Sequence, residues 1–289
     1  MQNRIHGKNY IKRFGALVLA ASLLLTSASC GKKDPEPEPV LGAPADGGTM
    51  LCLSSSYNLT PDDVKSLIGV RPETLLFAST TAVAVNCMLE GNADSLLTLL
   101  PVSEFYASRN DGFVSRPLGT SVDLSMLVSS EQPDLIPLLN GAIASLQENG
   151  LIDALYDTWV TGYTAQNRPE EAEDQPVIPS FAVTSAGEPA PTLRIGISGV
   201  LPFFDYNLDD GSPCGFTAAF FAALAEKLEA NLVFIPILPE SKISALLDDK
   251  IDVYYWHFLD VPQICLATDP FITMELSLLE QTEPAEEAK

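Results

Sequence analysis

Few side chains beyond the first thirty residues could do chemistry, and their spacing limits what that chemistry could be. His257 is the only histidine after His6, and Cys265 follows it closely. An imidazole beside a thiol can raise a thiolate nucleophile, but no third residue is spaced to orient this pair. A solitary histidine more often serves as a hydrogen-bonded structural residue than as a base. Cys52, Cys87, Cys214 and Cys265 follow Cys30 in the chain. In an oxidising compartment they could close two disulfides in three connectivities, or remain as buried thiols. None forms a CxxC pair, so metal and redox chemistry have little support. Asp94 and Asp252 stand at helix–strand junctions, where a carboxylate satisfies backbone amides. A GxSxG elbow, a GxGxxG turn, a P-loop and an HExxH pair are all absent. The pattern calls for no catalytic residue, no cofactor and no metal.

The chain has 289 residues, with 38 Asp/Glu against 16 Lys/Arg and a formal net charge of −22. So negative a surface repels phosphate backbones, which argues against nucleic acid as a partner. No apolar stretch is long enough to span a bilayer. Arg4, Lys8, Lys12 and Arg13 precede an apolar run from Phe14 to Leu25, and Ser27, Ala28 and Ser29 lead into Cys30. Residues 1–29 therefore read as a secretory signal. The small residues before Cys30 resemble a bacterial lipobox, with Ser27 where Leu is usual. That resemblance implies acylation of Cys30 and a membrane anchor at the cell envelope, on its periplasmic or its outer face. Cleavage there leaves 12 Lys/Arg against 38 Asp/Glu, a charge of −26.

Residues 30–49 are rich in Pro, Glu and Gly and aperiodic, hence a tether. Two apolar-patterned blocks follow, 50–163 and 191–280, joined by a Pro- and Glu-rich linker at 164–190, with a tail at 281–289. In the second block, Leu193–Ile197 alternates as a strand, residues 215–230 carry helical spacing, and Leu232–Ile237 is a second strand. A short helix at 240–249 and a strand at Ile251–Tyr255 complete a strand–helix–strand–helix–strand order, which implies parallel pairing. In the first block, Ser66–Val70 reads as a strand, Ser79 as the cap of the next helix, and Ala93–Thr98 and Val122–Val128 as strands. Pro133–Trp159 reads as a helical pair broken at Asn149-Gly150, with Leu139, Ile143 and Leu146 as core. The fold class is α/β.

These residues resemble the bacterial extracellular solute-binding proteins of the amino-acid type (family 3). Leu193–Ile197, Pro202-Phe203-Phe204, Asp210-Gly211 and Gly215-Phe216 look like that family's opening signature. Lys250–Val253 and Thr268–Phe271 look like its later lobe-one motifs. Leu89–Asp94 is similar to its second-lobe junction, and Leu135–Trp159, with Asn140 and Tyr156, to its closing helices. The resemblance implies a two-lobed, type 2 periplasmic-binding-protein-like fold. It also implies capture of a small molecule, amino-acid-like or polar or aromatic, for an ABC-type permease. The family's lobe-one opening comes last here, which implies either a circularly permuted order or two fragments, each completed by another chain.

In that family an Arg holds the ligand carboxylate, an Asp its ammonium, and an aromatic covers its side chain. Here those positions fall at Ile264, Leu99 and Leu201. A zwitterion without both counter-charges is costly to bury. What the resemblance leaves near the cleft is Phe204, Tyr206, Tyr255, Trp256, His257 and Asp260, a set suited to a less polar or stacking ligand. A sensory or adaptor lipoprotein with a degenerate cleft is the competing expectation. A lyase or dehydratase on the same fold is a third.

Overall fold

A computed structural model describes residues 48, 50–53, 59–162, 175–201, 203–208, 210–258 and 260–282. The expected signal at 1–29, the acylation site Cys30, nearly all of the tether, and the tail past Thr282 lie outside the described residues.

The chain enters through β1 (Met50–Leu53), which pairs in parallel with β2 (Leu75–Ala78) and β3 (Ser95–Leu99). Between them lie α1 (Pro61–Ile68) and α2 (Thr81–Leu89), with α3 (Leu100–Arg109) after β3. The strand expected over Ser66–Val70 is in fact the end of α1 and its cap. Thr60 and Asp63 form a capping box, Pro61 fits the first turn, and Gly69 closes the helix at φ 75°. Those local bonds outweigh the apolar run Leu67-Ile68. The cap of α2 likewise lies one residue later than expected: Thr80 accepts from the Val83 N–H at 3.2 Å.

From here β4 (Phe113–Ser129) runs for 17 residues and leaves this lobe for a second one. Its first part pairs antiparallel with β12 (Ile272–Gln281), the last described strand. Its far end pairs with β10 (Val253–His257) and β11 (Cys265–Ala267). The ladder with β12 shifts register between Glu275 and Ser277. Pro117 stands opposite Ser277 without an N–H to give, while Gly119, at φ 64°, donates its N–H to Glu275 Oε1 at 2.9 Å. The lobe built from both ends of the described chain is thus tied by β4 and β12 to a lobe built from its middle.

That middle lobe holds α4 (Leu135–Glu148) and α5 (Leu151–Tyr156), separated at Gly150, which adopts φ 70°. A π-helical turn, Asp157–Thr161, follows. Leu139, Ala142, Ile143 and Leu146 are buried along one face of α4, the stripe read as core. Then come β5 (Thr192–Ile197), a small sheet of β6 (Val200–Leu201), β7 (Asp205–Asn207) and β8 (Pro213–Cys214), and α6 (Phe216–Leu228). β9 (Asn231–Pro236), a 3-10 turn at Pro239–Ser241 and α7 (Lys242–Leu247) lead into β10. As the alternation required, β5 pairs in parallel with both β9 and β10. The full strand order is β2-β1-β3-β12-β4-β10-β5-β9, with β11 on β4.

In the middle lobe α6 is buried almost all round; Phe220 stacks on Phe271 with ring centroids 4.8 Å apart. Arg194 closes the end of β5. Its backbone N–H donates to Asp252 Oδ2 at 2.7 Å, and its guanidinium reaches both Asp249 and Asp252. Cys87, Cys214 and Cys265 are free thiols, which removes the two-disulfide arrangement. Residues 175–190, in the second half of the expected linker, are tied to β9: Phe181 and Asn231 exchange a pair of hydrogen bonds.

Candidate functional site

Between the lobes lies a cavity of about 120 Å³. The lobe of the chain ends supplies Leu59 and Leu67 from the α1 region, Ser79, Thr80 and Thr81 at the start of α2, Leu97–Leu99 of β3, Val102 of α3 and Leu276 of β12. The middle lobe supplies Ser198, Leu201, Pro239, Tyr254, Tyr255, Trp256 and Phe258. Each wall follows from its strand ends. β3 passes straight into α3, and β10 carries three successive aromatics into the gap.

Beneath the middle-lobe wall lies one buried carboxylate. Asp205 is 2% exposed, and its Oδ2 accepts from the Ser198 N–H at 2.7 Å, the Ser198 hydroxyl at 2.8 Å and the Tyr255 hydroxyl. Burial raises the Asp205 carboxyl above its ordinary range, although these donors oppose the shift. Burial also raises the Tyr255 phenol, and the neighbouring Asp205 charge adds to it. Ser198 and Tyr255 therefore stand in the wall with their single O–H bonds directed at Asp205.

The aromatic wall is braced from behind. The Phe204 ring meets Trp256 edge-on, with centroids 4.9 Å apart and planes at 85°. Phe203 precedes it at φ 54°, a conformation costly to a side chain of its size. The turn is held because the Phe203 and Phe204 carbonyls accept from the N–H groups of Phe216 and Thr217, at 2.9 and 2.8 Å, at the start of α6. Gly215 makes this approach possible. Its φ is 96°, and a Cβ there would sit 2.7 Å from the Phe203 oxygen.

Of the six residues that the resemblance left near the cleft, Tyr255 and Trp256 line the cavity and the other four do not. Phe204 is fully buried behind Trp256. Tyr206, in β7, accepts from the Cys214 thiol at 3.3 Å. His257 is buried at the end of β10, in register with Ser125. Asp260 is exposed in the loop before β11. The three substituted anchor positions divide in the same way. Leu99 and Leu201 face the cavity from opposite lobes, whereas Ile264 is exposed outside it. Of the Ser and Thr hydroxyls of the wall, Ser79 is named by the sequence as a helix cap, while Thr80, Thr81, Thr98 and Ser198 are not among the residues to which it points. Of those four, Thr80 alone carries a legible signal, as a helix cap. Lys242, buried with its Nζ 5.2 Å from the Tyr254 ring centroid, does not line the cavity. Burial lowers it to about 8. Among the described residues no cluster of His, Cys, Asp or Glu could hold a metal ion, and no helix is long and apolar enough to cross a membrane.

No protein-family model matches the chain, and no curated protein matches it. Solved structures similar to it include type 2 periplasmic-binding-like folds. Peb3 from Campylobacter jejuni is 12% identical at a TM-score of 0.42, over 83% of this chain and 88% of that one. The reduced regulatory domain of OxyR2 from Vibrio vulnificus is 13% identical at a TM-score of 0.40, over 83% and 89%. A zinc-bound ligand-binding component of an ABC-type import system from Staphylococcus aureus is 11% identical at a TM-score of 0.39, over 81% and 65%. The chain spans less than two thirds of that component and 66% of full-length CbnR, another similar structure. At these scores the likeness decides neither ligand nor role.

Proposed function

We propose that this chain is an exported, lipid-anchored capture protein that encloses a small molecule between its two lobes and delivers it to a membrane permease. One observation carries this reading: the two lobes meet over a lined cavity, and among the described residues their strand connections are β4 and β12. Such a hinge-linked pair lets a solute bind to one wall and be enclosed by the other. The signal-like N-terminus and Cys30 support export and anchoring. The chain order, with one lobe made from both ends, supports a circularly permuted member of the solute-binding proteins of the amino-acid type, with residues 164–190 joining the usual ends.

Thermal unfolding against amino acids, short peptides, polyamines and neutral aromatics tests the capture reading, since binding to the folded state raises Tm by mass action. Silence across that panel overturns it. Cleavage within 164–174 tests the permuted order: the two pieces stay associated if they build one fold, and part if each awaits another chain. Metabolic labelling with a fatty acid, lost in Cys30→Ser, tests the anchor. A second reading, an adaptor whose cleft no longer takes solute, is favoured by Ile264, Leu99 and Leu201 at the anchor positions. It predicts capture of a protein partner by a chain that binds no solute.

A further inference from the structure

On the capture reading, the same cavity also defines its ligand. Among the described residues no Asp, Glu, Lys, Arg or His lines it, so neither charge of a zwitterion meets a counter-charge in its wall. Its volume, about 120 Å³, is close to the roughly 150 Å³ of an apolar protein cavity known to hold benzene. One six-membered ring with a small substituent fills it. The polar groups of the wall then set the substituent. Ser198 spends its one O–H on Asp205 and Tyr255 does the same, so toward a ligand both present only lone pairs. Thr80, Thr81 and Thr98 add hydroxyls from the facing wall. A single ligand hydroxyl can donate its proton to one of the lone-pair oxygens and accept from a threonine hydroxyl opposite.

We infer that the cavity between the lobes selects a compact uncharged ring bearing one hydroxyl, a phenol-sized molecule, and rejects free amino acids. Asp205 acts here as a positioning residue: it turns two wall hydroxyls into acceptors without contacting the ligand. Apolar contact with Leu99, Leu201 and Leu276 supplies the remainder of the affinity.

Thermal unfolding of the full chain with phenol, benzene, benzoate, benzylamine and L-phenylalanine tests this. Phenol at about 10 mM is expected to raise Tm by about 3 °C, benzene by less, and the three charged probes not at all. A shift with phenylalanine, benzoate or benzylamine as large as that with phenol overturns the inference while leaving solute capture intact. Silence from all five also overturns it; the capture reading falls only if the wider panel is silent too. Leu99→Trp, which fills the cavity, should abolish the phenol shift. Should that variant not fold, Ser198→Ala decides: phenol affinity falls about fivefold while benzene affinity holds. An unchanged phenol-to-benzene ratio in Ser198→Ala overturns the hydroxyl assignment.

Discussion

Phe203 in the middle lobe meets Phe105 of α3 in the other lobe edge-on, with ring centroids 5.4 Å apart and planes at 69°. Arg109 lies over the Phe105 ring, 3.8 Å from its centroid, and adds a cation–π contact to the same side chain. The strained Phe203 turn thus carries an aromatic bridge that closes one lobe on the other. Replacing Phe105 by Leu keeps most of the apolar volume and removes the edge-to-face contact, worth about 0.5–1.5 kcal/mol. The expected result is a roughly two- to tenfold shift toward open lobes, read as a larger radius of gyration in solution scattering. An unchanged radius and midpoint would show that the lobes are held by something else.

Asp205 makes stability depend on pH in an unusual direction. Its folded value lies above the ordinary 3.8 because burial disfavours the charged form. Between 3.8 and that higher value the folded state keeps a proton that the unfolded state has released. The group's contribution is therefore full below the ordinary value and declines as pH rises through the folded one. Asp205→Asn does not titrate, so its urea midpoint relative to wild type should climb from about pH 4 upward and then level off. A flat difference between about pH 4 and 8 would refute the buried carboxyl.

Gly215 is the second support of the same turn. Alanine there must adopt φ 96° and place its Cβ 2.7 Å from the Phe203 oxygen. The expected loss is about 2–3 kcal/mol. Because the clash falls on the carbonyl that caps α6, Trp256 fluorescence should shift as well, through Phe204. A variant as stable as wild type, with the same emission, would show that the turn is not constrained.

Elements with an uninterrupted period are legible in the amino-acid sequence alone. Leu193–Ile197 alternates cleanly and is β5; Leu139, Ile143 and Leu146 repeat at helical spacing and face the core from α4. The α1 segment misleads because its apolar pair Leu67-Ile68 is short, while its real signal is the polar Thr60-Pro61-Asp62-Asp63 ahead of it. β12 and the first half of β4 escape such a reading because Pro117, Gly119 and the register shift at Glu275 break the alternation where the strands change lobe. The site divides similarly. Leu99 and Leu201 stand out as substituted anchors, and both reach the cavity. Tyr255 and Trp256, named through the resemblance, reach it too, whereas residues such as Leu59 and Leu276 come to it only through the tertiary fold, a long-range property that no local pattern records.

The final prediction concerns Arg194 and Asp252, which join β5 to the turn before β10. Asp252 accepts from the Arg194 backbone N–H at 2.7 Å, from Nε at 3.0 Å and from Nη2 at 2.6 Å, and Gln132 adds a longer bond at 3.3 Å. Burial alone would raise Asp252, but the hydrogen bonds from Arg194 and Gln132 outweigh it and hold the carboxyl below the ordinary 3.8. Its contribution is therefore present above 3.8 and is lost as pH falls through the depressed folded value. The Asp252 side chain is 10% exposed and that of Arg194 31%, so the pair is partly shielded from solvent. Arg194→Lys keeps the charge but not the planar fork that spans Asp249 and Asp252. It should cost about 1–2 kcal/mol near neutral pH. That deficit should shrink as pH falls below 3.8 and be lost once Asp252 protonates in the folded wild type, at its depressed value. A deficit that is constant from about pH 3 to 7 would mean that the guanidinium acts through the Asp249 backbone carbonyl and not through the Asp252 charge.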